Sequence, residues 1–141
     1  MAINWSPTYS VGIPVIDADR QRLISLINDI ERRIGDGDGV EETARHYAAE
    51  MARHAALEIG IVSRHGYGRH EEVAAAHRFL ADLLDQFVHT AASQSVSTNI
   101  RSWLDYQNIW MLVLTTTCLG YRNFFRVRGI VPHDGADLAE D

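Results

Sequence analysis

His54, Glu58 and His77 are the residues in this chain whose types and spacing could do chemistry. Tyr47, Met51, His54, Glu58, Ile61 and His65 recur at steps of three and four, which puts them on one helix face. After a break at Gly66-Tyr67-Gly68, the residues Val73, His77, Leu80, Leu84 and Phe87 share a face in the same way. An imidazole and a carboxylate one turn apart, facing a second imidazole on the next helix, are donors of the kind that hold a metal inside a helical bundle. Two histidines and one carboxylate suit a single iron or zinc with open positions, and Cys118, if it points inward, would add a soft fourth ligand. Arg20 favours another state. It falls on the inward stripe of an earlier helix, and a cation beside a divalent metal is unfavourable. A buried Glu58 without metal, in turn, needs a cation, so the sequence leaves open either a metal held by His54, Glu58 and His77 or an Arg20–Glu58 ion pair. His54 and His77 as core histidines with no ligand role, and a flat cofactor such as haem between them, are two further readings, the latter with no motif behind it. Cys118 has no neighbouring base in sequence, which speaks against a nucleophilic enzyme.

These residues must be positioned by helices. Residues 1–16 hold two prolines, a glycine and alternating apolar residues, and read as an extended N-terminal arm anchored by Trp5, Tyr9, Val11 and Ile16. Asp17 is a candidate N-cap for a first helix over 18–35, whose inward stripe is Ile16, Arg20, Leu23, Ile27, Ile30 and Ile34. The turn Asp36-Gly37-Asp38-Gly39 ends it. A second helix is expected over 40–65 and a third over 70–91, antiparallel because their connection is short. A small polar loop over 90–98 leads to a fourth helix from Asn99 to about Val127, the most apolar of the four, stopped by Gly129 and Pro132. The acidic residues 134–141 read as a mobile tail. Four helices with short links predict an all-α, up-down-up-down four-helix bundle in a single domain over 1–133. His65, His70 and His89 read as ordinary solvated helix residues.

The 141 residues are enough for one substantial core. A net charge of -6 speaks against a nucleic-acid partner. No run is long and apolar enough for a membrane span, and no secretory leader is evident; a cytoplasmic protein is the expectation. The single cysteine excludes an internal disulfide framework.

The chain resembles the bacterial hemerythrins. The resemblance rests on the arm with Trp5, Ser10-Val11-Gly12-Ile13-Pro14 and Ile16-Asp17. It continues with His54 and Glu58, Gly66-Tyr67 and His77 at the family's spacing, and Tyr121, Phe124 and Gly129-Ile130 near the end. It implies the family's bundle, in which five histidines, a glutamate and an aspartate hold two non-haem irons. At the matching positions Arg20 and Val73 stand where histidines would, whereas His54, Glu58 and His77 are kept. In the fourth helix the matching pair is Val113 and Cys118 counted back from Tyr121 and Gly129, or Gln107 and Leu112 counted from Trp103-Leu104. The first needs no insertion inside a helix. Either pair implies that the diiron centre and its reversible dioxygen carriage are lost. What is implied instead is a binding or signalling module, without catalysis or cofactor, whose altered pocket includes Arg20, Val73, Val113 and Cys118 and could take a small ligand. The alternative is a mononuclear iron or zinc site that senses oxygen or another small molecule.

Overall fold

The computed structural model describes residues 2–128, and Gly129, Ile130, Pro132 and the acidic tail of the sequence reading lie outside the described residues. Four helices follow one another: α1 (Pro14–Asp36), α2 (Val40–Arg64), α3 (His70–Thr90) and α4 (Val96–Val127). Short 3-10 turns at Pro7–Tyr9 and Ala91–Ser93 precede α1 and α4. Each helix packs against the next, and α4 returns to α1, which closes an all-α four-helix bundle with no strand among the described residues. No described helix is long and apolar enough to cross a membrane.

The inward stripes are those the 3.6-residue period requires. Leu23, Ile27 and Ile30 of α1, Tyr47 and Ile61 of α2, Leu80 of α3, and Trp103 and Tyr121 of α4 are fully buried. One layer of the core is aromatic. Trp103 stacks on Tyr106 with ring centroids 4.8 Å apart and donates through Nε1 to the Ile27 carbonyl at 3.1 Å, while Tyr47 and Tyr106 share a hydroxyl hydrogen bond of 2.8 Å. These partners, with Met51 Sδ accepting from the Tyr47 hydroxyl at 3.8 Å, let three polar rings sit in the core without an unsatisfied donor.

Two boundaries differ from the sequence reading by more than one residue, each for a local reason. α1 begins at Pro14, four residues before the expected start, because proline at the first helical position has its φ preset and lacks an amide that would go unpaired there. Asp17 therefore lies inside the first turn and does not cap it. Its carboxylate reaches back instead and accepts from the Val11 amide at 2.8 Å and from the Ser10 hydroxyl. α4 begins at Val96, capped by Ser95, whose hydroxyl accepts from the Thr98 amide; the expected loop is shortened accordingly. The arm is thus residues 2–13, and it is not uniformly extended. It is tied down at three points: Asn28 bonds both the amide and the carbonyl of Ile3, Asp17 holds Ser10 and Val11, and Arg122 donates to the carbonyls of Pro7, Thr8 and Ser10.

The turn between α2 and α3 is set by Gly66, at φ +78°. The Gly66 amide donates to the Ser63 carbonyl and the Tyr67 amide to the Val62 carbonyl, the paired bonds that end a helix in a left-handed residue. Tyr67 is thereby turned inward, edge-on to Tyr121 and Phe124. Its hydroxyl lies against Gly120 of α4, where a Cβ would stand 2.2 Å from Oη. Gly120 is consequently a glycine inside a helix for a steric reason. Gly120→Ala should lower stability by about 1–3 kcal/mol through overpacking. In a Tyr67→Phe background, which removes the clashing oxygen, the same change should be close to neutral; urea unfolding of the four proteins measures the difference.

Candidate functional site

Arg20 is 2 % exposed, and among the described residues it is the one buried arginine. It sits on the inward stripe of α1 because Ile16, Leu23, Ile27 and Ile30 fix that face toward the core. Its guanidinium makes four hydrogen bonds. Nη2 donates to Glu58 Oε1 at 2.7 Å and to Thr117 Oγ1 at 2.9 Å; Nη1 donates to Cys118 Sγ at 3.0 Å and to the Tyr9 carbonyl at 3.4 Å. Glu58, 1 % exposed, accepts from Arg20 on one oxygen and is 2.6 Å from His77 Nε2 on the other. A carboxylate only accepts, so Nε2 of His77 carries the proton in that contact. His77 Nδ1 has no hydrogen-bond partner among the described residues. His54 lies edge-on to His77, with ring centroids 6.0 Å apart, and its Nδ1 is 3.3 Å from Asp19 Oδ2. Asp19 also accepts from Arg53 at 2.8 Å.

The arm completes the cluster. The Tyr9 carbonyl, delivered by the turn at Pro7–Tyr9, accepts from both Arg20 and the Cys118 thiol, the latter at 3.0 Å. Cys118 both accepts and donates, as a neutral thiol must, and burial raises its pKa against the pull of Arg20. Burial alone would also raise Glu58, but the Arg20 charge and the His77 hydrogen bond outweigh it and hold the carboxyl well below the usual range. Asp19 is held at about 2, chiefly by its bond with His54, against a smaller desolvation effect. For Arg20, burial favours the neutral form, but the surrounding groups together, Glu58 foremost, outweigh it and its pKa is raised.

The residues singled out in sequence fall into two groups. Arg20, His54, Glu58, His77 and Val113 line one small cavity, with Trp110, Leu114 and Thr117 closing it. Cys118 borders it through Arg20. Val73 is buried but faces a separate depression shared with Tyr67, Val113 and Thr117. Of the two fourth-helix pairs, Gln107 is buried outside the cluster and Leu112 is 65 % exposed, so Val113 and Cys118 are the pair that meets it. Among the solvated histidines, His89 is exposed, whereas His65 is half-buried against Phe125 and His70 bonds the Tyr67 carbonyl at the start of α3. Thr117, the Tyr9 carbonyl and Asp19 were not legible as site groups. Thr117 lies one turn beyond Val113 on the same face, which is the one signal that could have found it.

The residues as arranged do not fit a metal centre. Both Glu58 oxygens are engaged, one by a guanidinium, and the cavity between the side chains is about 10 Å³, at the limit of what one water needs and far less than a haem. Among the described residues, no group of three or more histidine, cysteine, aspartate or glutamate side chains is placed to hold a metal ion.

Fold and site together define the class: an all-α four-helix bundle with a buried network of one arginine, one glutamate and two histidines. Comparison with protein-family models, with curated proteins and with solved structures finds no match to this chain.

The network makes stability pH-dependent in one direction. Glu58 is depressed in the folded state, so its contribution is present above about 4.5, its ordinary value, and is lost as pH falls through the lower folded value. Asp19 acts in the same sense between 3.8 and about 2. Urea midpoints measured from neutral pH downward should fall below about pH 4.5. Glu58→Gln, though less stable at neutral pH, should give a visibly flatter profile.

Proposed function

We propose that the chain is a hemerythrin-like bundle in which an internal ion pair stands where the family holds its irons. It serves as a cytoplasmic binding or signalling module, not as an oxygen carrier or an enzyme. One observation supports this reading above all: the direct Arg20–Glu58 contact at 2.7 Å, with both side chains buried. Arg20 occupies the position of the first iron ligand in the resemblance and supplies a positive charge beside the bridging carboxylate. Val73 and Val113 replace polar ligands with apolar volume. A second reading, a mononuclear iron or zinc site through His54, Glu58 and His77, draws support from the adjacency of these three side chains. It requires the guanidinium to withdraw.

Two measurements test the ion-pair reading. Arg20→Leu and Glu58→Leu should each cost about 3–5 kcal/mol, because the remaining charge is left buried and unpaired, whereas the double variant should cost much less than their sum. Arg20→Leu with unchanged stability and a gain in zinc affinity would favour the mononuclear site instead. Separately, the wild-type protein incubated with ferrous iron and exposed to air should develop no oxo-bridged diiron absorption and bind no oxygen reversibly. Two irons per chain with such bands would overturn the ion-pair reading.

A further inference from the structure

α4 carries an outward face that the other described residues leave uncovered. Its inward face is Trp103, Tyr106, Trp110, Leu114, Thr117, Tyr121 and Phe125. On the opposite side Asp105, Asn108, Leu112, Thr115, Thr116, Leu119, Asn123 and Arg126 are all exposed. Leu112 and Leu119 are 65 % and 70 % exposed, two of the five large apolar side chains that the described residues expose, and they are seven residues apart on one stripe.

The order of residues on this face is symmetric from its two ends except in charge, which is opposite at them. About the point between Thr115 and Thr116, Leu112 mirrors Leu119, Asn108 mirrors Asn123, and Asp105 mirrors Arg126. Two copies of α4 laid antiparallel about a twofold axis at that point would set each leucine level with the other copy's leucine. Both ends of the contact would then set an aspartate level with an arginine. A twofold interface is self-complementary by construction, and a face with apolar centre, amide flanks and opposite charges at its two ends meets that condition. The charges are available for it: neither Asp105 nor Arg126 forms an ion pair with the described residues, and Arg126 bonds only the Asn123 side chain one turn away. The span from Asp105 to Arg126 is about 32 Å of helix, at 1.5 Å per residue. A depression of about 260 Å³ lined by Leu112, Val113, Thr116, Val73 and Ala76 lies beside the stripe, on its α3 side, where an apolar side chain of the second copy could seat.

We infer that this face is a homodimer interface, with α4 of one copy packed antiparallel on α4 of a second copy through Leu112 and Leu119 and closed by two Asp105–Arg126 pairs.

Sedimentation equilibrium of the full chain, with circular dichroism to verify folding, tests the pairing. The wild type should be a dimer at micromolar concentration, and Leu112→Asp should abolish it without loss of helix. Asp105→Arg and Arg126→Asp, both exposed positions, should each weaken the dimer by on the order of tenfold, since each places like charges at both ends. An equimolar mixture of those two variants should recover dimer, because every end of the mixed pair is again opposite in charge. A monomeric wild type would overturn the inference, whether residues 129–141 or a different protein cover the face. A dimer indifferent to Leu112→Asp, or single charge variants that do not recover on mixing, would overturn it as well.

Discussion

Much of the molecule follows from the burial of one guanidinium. An arginine inside an apolar bundle must have its charge matched and its donors bonded, because desolvating either without compensation costs several kcal/mol. Glu58 matches the charge, and Thr117, Cys118 and the Tyr9 carbonyl take the remaining hydrogen bonds. These partners come from α2, α4 and the N-terminal arm, so satisfying Arg20 fixes how three separate parts of the chain meet. Such an ion pair adds little net stability over an apolar core, and its effect is better described as specifying one arrangement.

The arm shows how this requirement spreads. Val11 and Ile13 of the arm are buried in the core, Ile3, Trp5 and Tyr9 pack against it, and Asp17, Asn28 and Arg122 each bond its backbone. The result is that the Tyr9 carbonyl is presented to Arg20 and to the Cys118 thiol at once. Asp17, placed in the first turn of α1, gains from the partial positive charge of that helix end while it holds Ser10 and Val11. At the other end of the site, Gly66 and Gly120 let Tyr67 pack edge-on against Tyr121 and Phe124 of α4, beside the depression that Val73 and Val113 line.

The chemistry left to the cluster is electrostatic. Glu58 stays ionised because Arg20 and His77 hold it so, and Cys118 stays a thiol because burial does. Neither of these two groups is in the state of one poised to exchange protons near neutral pH.

The sequence by itself determined the helices, their inward stripes and their order, because the 3.6-residue period of apolar side chains is written locally and four such stripes have few ways to bury one another. It also placed Arg20, His54, Glu58 and His77 on those stripes, and charge balance within the bundle that the resemblance implies offered Glu58 as the partner of Arg20, with a metal on His54, Glu58 and His77 as the alternative. It misread the ends of α1 and α4, where Pro14 and Ser95 compete with plausible neighbouring caps. It favoured Val113 with Cys118 over Gln107 with Leu112 only because the first needs no insertion inside a helix, since a helix buried over more than one side carries no sharp stripe to fix its rotation. Only the tertiary structure decided that rotation, exposing Leu112 and turning Thr117 and Cys118 toward Arg20. Only it could reveal that a backbone carbonyl from the arm completes the site, because main-chain groups carry no residue identity, and where they point is settled by packing between segments far apart in the chain.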